Sequence, residues 1–143
     1  MNRIGKCLLA VTAIFLASNS TGFSQSYFCI QEAAGGLKPL NGEWSGTAFK
    51  PSGKYLVARD PENRKEWTVT EIGKTYALHR CPVIMISESV EADQIICGGL
   101  GYGMVINFAV MRYVEVYTFG YINNDKSGNN TPSVSGGMCS KIN

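Results

Sequence analysis

Apolar and polar residues alternate with period two in several short runs bounded by turn residues, and that pattern commits the chain to strands. In Glu66–Glu71, Trp67 and Val69 face one way while Glu66, Thr68 and Thr70 face the other. In 74–80, Tyr76 and Leu78 oppose Thr75 and His79, and Ile72-Gly73 is short enough for a hairpin between the two runs. Lys54–Arg59 reads as another strand. It is entered through Pro51-Ser52-Gly53 and left through Asp60-Pro61-Glu62-Asn63, both strong turn signals.

Downstream, 82–86 is apolar and β-branched, 87–93 is polar, and 94–97 is apolar again. This predicts strand, loop, strand, with Cys81 and Cys97 at the open ends of the pair; a short helix over 88–95, closed by Gly98, is the alternative. In 104–110, Met104, Ile106, Phe108 and Val110 share a face. The run 112–121 is the longest with β propensity, and apolar groups on both of its faces predict a central strand. The stretch 95–111 carries no charge, yet Gly98, Gly99, Gly101, Gly103 and Asn107 make it a poor helix, so a buried hairpin is expected there and not a membrane span. The polar, glycine-rich segment 123–137 predicts a long surface loop. The whole describes an all-β, antiparallel domain of about seven to nine short strands, either a sandwich or a small barrel.

The first 25 residues stand apart. Arg3 and Lys6 precede an apolar run over 7–17, followed by small and polar residues, which is the order of a secretory signal peptide. The run is shorter than the roughly 20 apolar residues a transmembrane helix needs, and neither Cys7 nor Cys29 follows a lipobox. We expect cleavage before Ser26, leaving one β domain over 26–143. Loss of Arg3 and Lys6 leaves 11 basic and 11 acidic residues. That balance gives no basic footprint for nucleic acid.

Four cysteines remain in the exported part: Cys29, Cys81, Cys97 and Cys139. An even number in a short exported chain implies two disulfides. A zinc site needs closely paired ligands from two places, and this sequence has no CxxC pair. Three pairings are open to four cysteines. We expect Cys81–Cys97, closing a local strand pair, and Cys29–Cys139, tying the two ends of the domain.

Few residues suggest chemistry. His79 is the single imidazole and falls on the polar side of its run, so a solvated surface histidine is expected. No GxSxG motif accompanies it. Oxidised cysteines cannot serve as thiolate nucleophiles. Glu62, Glu66, Glu88, Glu91 and Asp93 read as turn and loop charges. The glycines at 98, 99, 101 and 103 match neither phosphate-loop spacing and read as a turn or bulge. No catalytic residue, cofactor site or metal site is therefore assigned. Aromatic residues are the most suggestive feature. On an extended 112–121 strand, Tyr113, Tyr117 and Tyr121 would share a face, with Arg112 opposite, as a candidate binding face or as ordinary core.

The elements Cys97, Gly101-Tyr102-Gly103, Asn107, Arg112-Tyr113, Tyr117, Gly120-Tyr121, Thr131-Pro132 and Gly137-Met138-Cys139-Ser140 stand in the C-terminal half, with Cys29, Gly36, Trp44 and Phe49 before them. This pattern resembles a group of short, uncharacterised exported proteins of Gram-negative bacteria. The resemblance implies export and carries over no functional residue. Ser52-Gly53-Lys54-Tyr55, with Trp67 further on, resembles the Ser-Gly loop of the small periplasmic inhibitors of lysozyme, which are disulfide-tied β-barrels. Here the tyrosine comes one residue earlier than in that loop.

The reading that follows is a periplasmic or secreted, non-enzymatic module that binds a protein or a small ligand. Two alternatives stand beside it: an inhibitor of a cell-wall enzyme such as lysozyme, and a small hydrolase working through carboxylates.

Overall fold

The computed structural model describes residues 25–142. The leader and its cleavage site therefore lie outside the described residues, Gln25 excepted. Eleven strands and one short helix follow in chain order: β1 (Ser26–Leu40), β2 (Glu43–Phe49), β3 (Lys54–Arg59), β4 (Glu66–Glu71), β5 (His79–Pro82), β6 (Met85–Ser87), β7 (Val90–Glu91), β8 (Gln94–Gly99), β9 (Tyr102–Asn107), β10 (Arg112–Tyr117), α1 (Phe119–Ile122) and β11 (Ser133–Ile142). Eight strands form one antiparallel sheet in the order β5-β4-β3-β1-β11-β10-β9-β8, curled into a nearly closed barrel. This settles the choice between sandwich and barrel. Strand β2 pairs with β1 off that path, and β6 and β7 form a separate ribbon.

The period-two pattern sends one residue in two into the barrel. Tyr27 and Cys29 of β1, Val57 of β3, Val69 of β4, Ile95 of β8, and Met104 and Ile106 of β9 are all buried. One end is closed by rings: Phe108 stacks on Tyr27 at 4.4 Å and lies 4.9 Å from Trp67, whose ring also carries the Arg59 guanidinium at 4.2 Å.

Strand β1 is the spine. Its residues Ser26 to Ile30 pair with β3, its residues Ala34 to Leu40 pair with β2, and β11 runs along its other side. The register shifts between Gln31 and Ala33, where one neighbour gives way to the next. Gln31 clamps the β2–β3 turn there: its Oε1 accepts from the amides of Ser52 and Gly53 at 2.7 and 3.0 Å, and its own amide donates to the Gly53 carbonyl at 2.9 Å.

Both disulfides form in the expected pairing. Cys29 and Cys139 are direct cross-strand partners in β1 and β11. Cys81 and Cys97 join β5 to β8, the two terminal strands of the sheet path. Among the described residues no backbone ladder is seen between those two strands, so the bridge sits on the seam of the barrel. The expected turn at Asp60 also forms. Its carboxylate accepts from the amides of Glu62 and Asn63 and from Arg80, and these bonds hold it below the usual carboxylate range.

Several expectations are corrected. The strand expected over 74–80 begins only at His79, because the chain turns after Gly73 at a φ of +94°. The run 82–86 is divided between the end of β5 and the start of the β6–β7 ribbon, and no helix forms over 88–95. The strand expected to reach Tyr121 stops at Tyr117, where α1 takes over. The loop expected over 123–137 ends at Thr131–Pro132, and β11 starts at Ser133.

The glycines of β11 explain that last error. A Cβ on Gly137 would overlap the Ile30 carbonyl oxygen and lie 2.8 Å from the Tyr113 ring. Glycine in this strand marks a close approach of backbones, not a loop. Gly137→Ala should therefore destabilise the fold by about 1–3 kcal/mol through overpacking against groups that cannot move aside. The midpoint of urea unfolding measures this, and an unchanged midpoint would refute the close approach.

Candidate functional site

The barrel end opposite the aromatic plug is polar, and Glu115 is its centre. Alternation along β10 places Glu115 between Tyr113 and Tyr117 on the inward side, in register with Ser135 of β11 and Met104 of β9. Its carboxylate is half-buried and accepts three hydroxyl bonds. Tyr55 Oη of β3 and Ser135 Oγ reach Oε2 at 2.8 and 3.2 Å, and Tyr102 Oη of β9 reaches Oε1 at 3.1 Å. A carboxylate taken out of water without such bonds costs several kcal/mol. Its two oxygens offer about four lone-pair sites, so one on Oε1 stays open.

The surroundings keep the donors as donors. Burial pushes the Tyr55 hydroxyl far above the ordinary tyrosine range, and its bond to Glu115 adds to the shift. Burial does the same to Tyr102, reinforced by the charges of Glu115 and of Glu71. The Tyr113 hydroxyl is raised by burial and then by Glu115. His79 is 5% exposed, and its ring lies 4.6 Å from that of Tyr102. Burial pulls its imidazole below the usual histidine range, and the charge of Glu115 opposes part of that pull. Among the described residues, His79 Nε2 and Tyr113 Oη are buried without a hydrogen-bond partner.

A cleft of about 340 Å³ opens onto Glu115 and Ser135. The β1 bulge supplies Gln31 to its wall, the β2–β3 turn supplies Lys50 and Ser52, and the start of β11 supplies Ser133. Phe49, at the end of β2, adds an aromatic ring. The turn cannot drift from the cleft, because Gln31 holds both of its amides.

The residues singled out from sequence are placed differently. Tyr113 is 3% exposed and packs edge-on against Tyr55 at 5.7 Å, inside the barrel. Tyr117 is half-buried at the polar end, edge-on to Tyr102 at 5.5 Å, and donates to Asn130 Oδ1 at 3.1 Å. Tyr121 is 52% exposed on α1, where its ring meets that of Trp44 at 5.4 Å. The three tyrosines do not form one open face, because the strand ends before the third of them. Arg112 lies on the outer side, 3.2 Å from Glu32. His79 is inside and not solvated, since β5 pairs it with the inward Val69. Glu66 pairs with Arg80 and Glu91 with Arg59, and none of the five loop carboxylates lines the cleft. Gly98, near the end of β8, and Gly101, in the β8–β9 turn, take φ of +92° and +88°.

Glu115 itself was overlooked as a site residue. The available signal was a lone carboxylate on the aromatic, inward side of a strand. Compared with known proteins, the chain matches no family model, no curated protein and no solved structure.

Proposed function

We propose that this protein is an exported, non-enzymatic binding module that takes a small ligand at the polar end of its barrel. The observation that carries this reading is the cleft over Glu115, whose carboxylate is held from three other strands by Tyr55, Tyr102 and Ser135. Glu115 stands half-buried among the tyrosine, serine and histidine side chains of that end. A carboxylate there is seldom the most stable choice, since apolar replacements of buried charges are often neutral or better, and recognition is the role we assign to it. Its oxygens are fixed as acceptors by neighbouring hydroxyls, which suits holding a ligand more than shuttling a proton. The leader expected over residues 1–25 and the two disulfides support export to an oxidising compartment.

Amide NMR spectra of the oxidised protein, titrated with a small-molecule extract of its host's envelope, test the site. Shifts should gather at Ser52, Gly53, Ser133 and Ser135, and Glu115→Gln should weaken binding on the order of tenfold or more, the usual worth of a charged hydrogen bond. Shifts confined to the outer faces of the barrel would remove the cleft as the site.

A further inference from the structure

We infer that the ligand of this cleft is a neutral carbohydrate, an inference that rests on the cleft being the binding site. Charge argues first. The cleft carries one cation, Lys50, and one carboxylate, Glu115. The lining is balanced in charge, which favours neither a simple anion nor a simple cation. A neutral ligand and a zwitterion both fit that balance, and the glutamine arm of the test separates them.

The hydrogen-bonding inventory argues next. Glu115 keeps one acceptor site, on Oε1. Gln31 has its Oε1 committed to the Ser52 and Gly53 amides, which leaves its NH₂ as the end that can donate. Ser52 and Ser133 add hydroxyls that can donate or accept. A wall with donors, acceptors and groups of both kinds is matched by a ligand whose own groups are of both kinds, and sugar hydroxyls are. Phe49 offers an apolar surface for the C–H face of a sugar ring. The volume of about 340 Å³ lies at the lower end of ligand pockets, the size for one or two rings. The walls stand on strands and on a clamped turn, so little ordering is left to be done on binding.

The test is a set of amide NMR titrations of the oxidised protein with N-acetylglucosamine, galactose and maltose, and in parallel with inorganic phosphate and glutamine. At least one sugar should give saturable shifts at Ser52, Gly53, Ser133 and Ser135, while phosphate and glutamine give none. Ser133→Ala, which leaves the Glu115 bonds intact, should weaken that binding severalfold without moving the melting temperature, and Glu115→Gln should weaken it on the order of tenfold. Saturation of the same amides by phosphate or glutamine, with no sugar binding, would overturn the carbohydrate and leave the cleft as the site. Failure of every probe, together with outer-face shifts in the extract titration, would overturn both.

Discussion

Replacing Cys29 and Cys139 together by alanine is expected to lower the free energy of unfolding by about 4–5 kcal/mol. The two cysteines are separated by 110 positions, nearly the full length of the described chain. In the chain-entropy account a bridge stabilises by restricting the unfolded chain, and the effect grows with the loop it closes. The folded state should change little, because β1 and β11 are paired in register on both sides of the bridge. A loss of that size is a large share of the 5–15 kcal/mol typical of a domain. The Cys81–Cys97 bridge spans only 16 positions, and the same account gives it about 3 kcal/mol. Urea unfolding of both double-alanine variants beside the parent protein gives the order directly. A smaller loss for the Cys29–Cys139 variant would show that loop length is not what sets the contribution.

Trp67→Ala should cost about 3–5 kcal/mol, the range for removing a large buried ring. Trp67 is 3% exposed and closes one end of the barrel with Tyr27 and Phe108, whose rings lie 5.9 and 4.9 Å from its own. The space it leaves cannot collapse readily. Strand β4 is hydrogen-bonded on both sides, and Trp67 stands in register with Arg59 on one side and with Cys81, fixed by its disulfide, on the other. Arg59 would also lose the ring beneath its guanidinium. Trp67→Phe keeps an aromatic plug and should recover more than half of the loss. Guanidinium unfolding followed by circular dichroism reads both variants, and a cost below about 1 kcal/mol for the alanine variant would mean that the ring is not a packed plug.

Strands β3 and β4 could be read from sequence because their alternation is unbroken and turn residues flank them. That two disulfides form was legible from the even cysteine count of a short exported chain, whereas their pairing was one choice among three, since Cys29 and Cys139 lie in strands the sequence does not reveal. Strands β1 and β11 were not legible, because Gly35, Gly36, Gly136 and Gly137 give them the composition of loops. Two of those glycines answer to atoms from elsewhere in the chain: Gly36 approaches the Pro132 carbonyl, and Gly137 that of Ile30. His79 was misplaced for a related reason, since its inward orientation depends on the partner strand that captures it and not on its own neighbours. At the site, the inward position of Glu115 follows from the alternation of β10. Its donors, however, lie 60, 13 and 20 positions away, and only the strand order brings them together.

The seam between β5 and β8 bears on how such a chain is made. A sheet rolled up but not stitched along its closing line has two exposed edges, and an exposed edge is a template for another strand. Here the stitch is a single covalent bond between sulfur atoms, and it does not exist when the chain leaves the ribosome. Until it forms, each newly made copy carries two edges that neighbouring copies could extend. Oxidation is therefore expected to act on the edges as well as on stability: by holding β5 beside β8 it leaves less room for a neighbouring copy to add a strand to either.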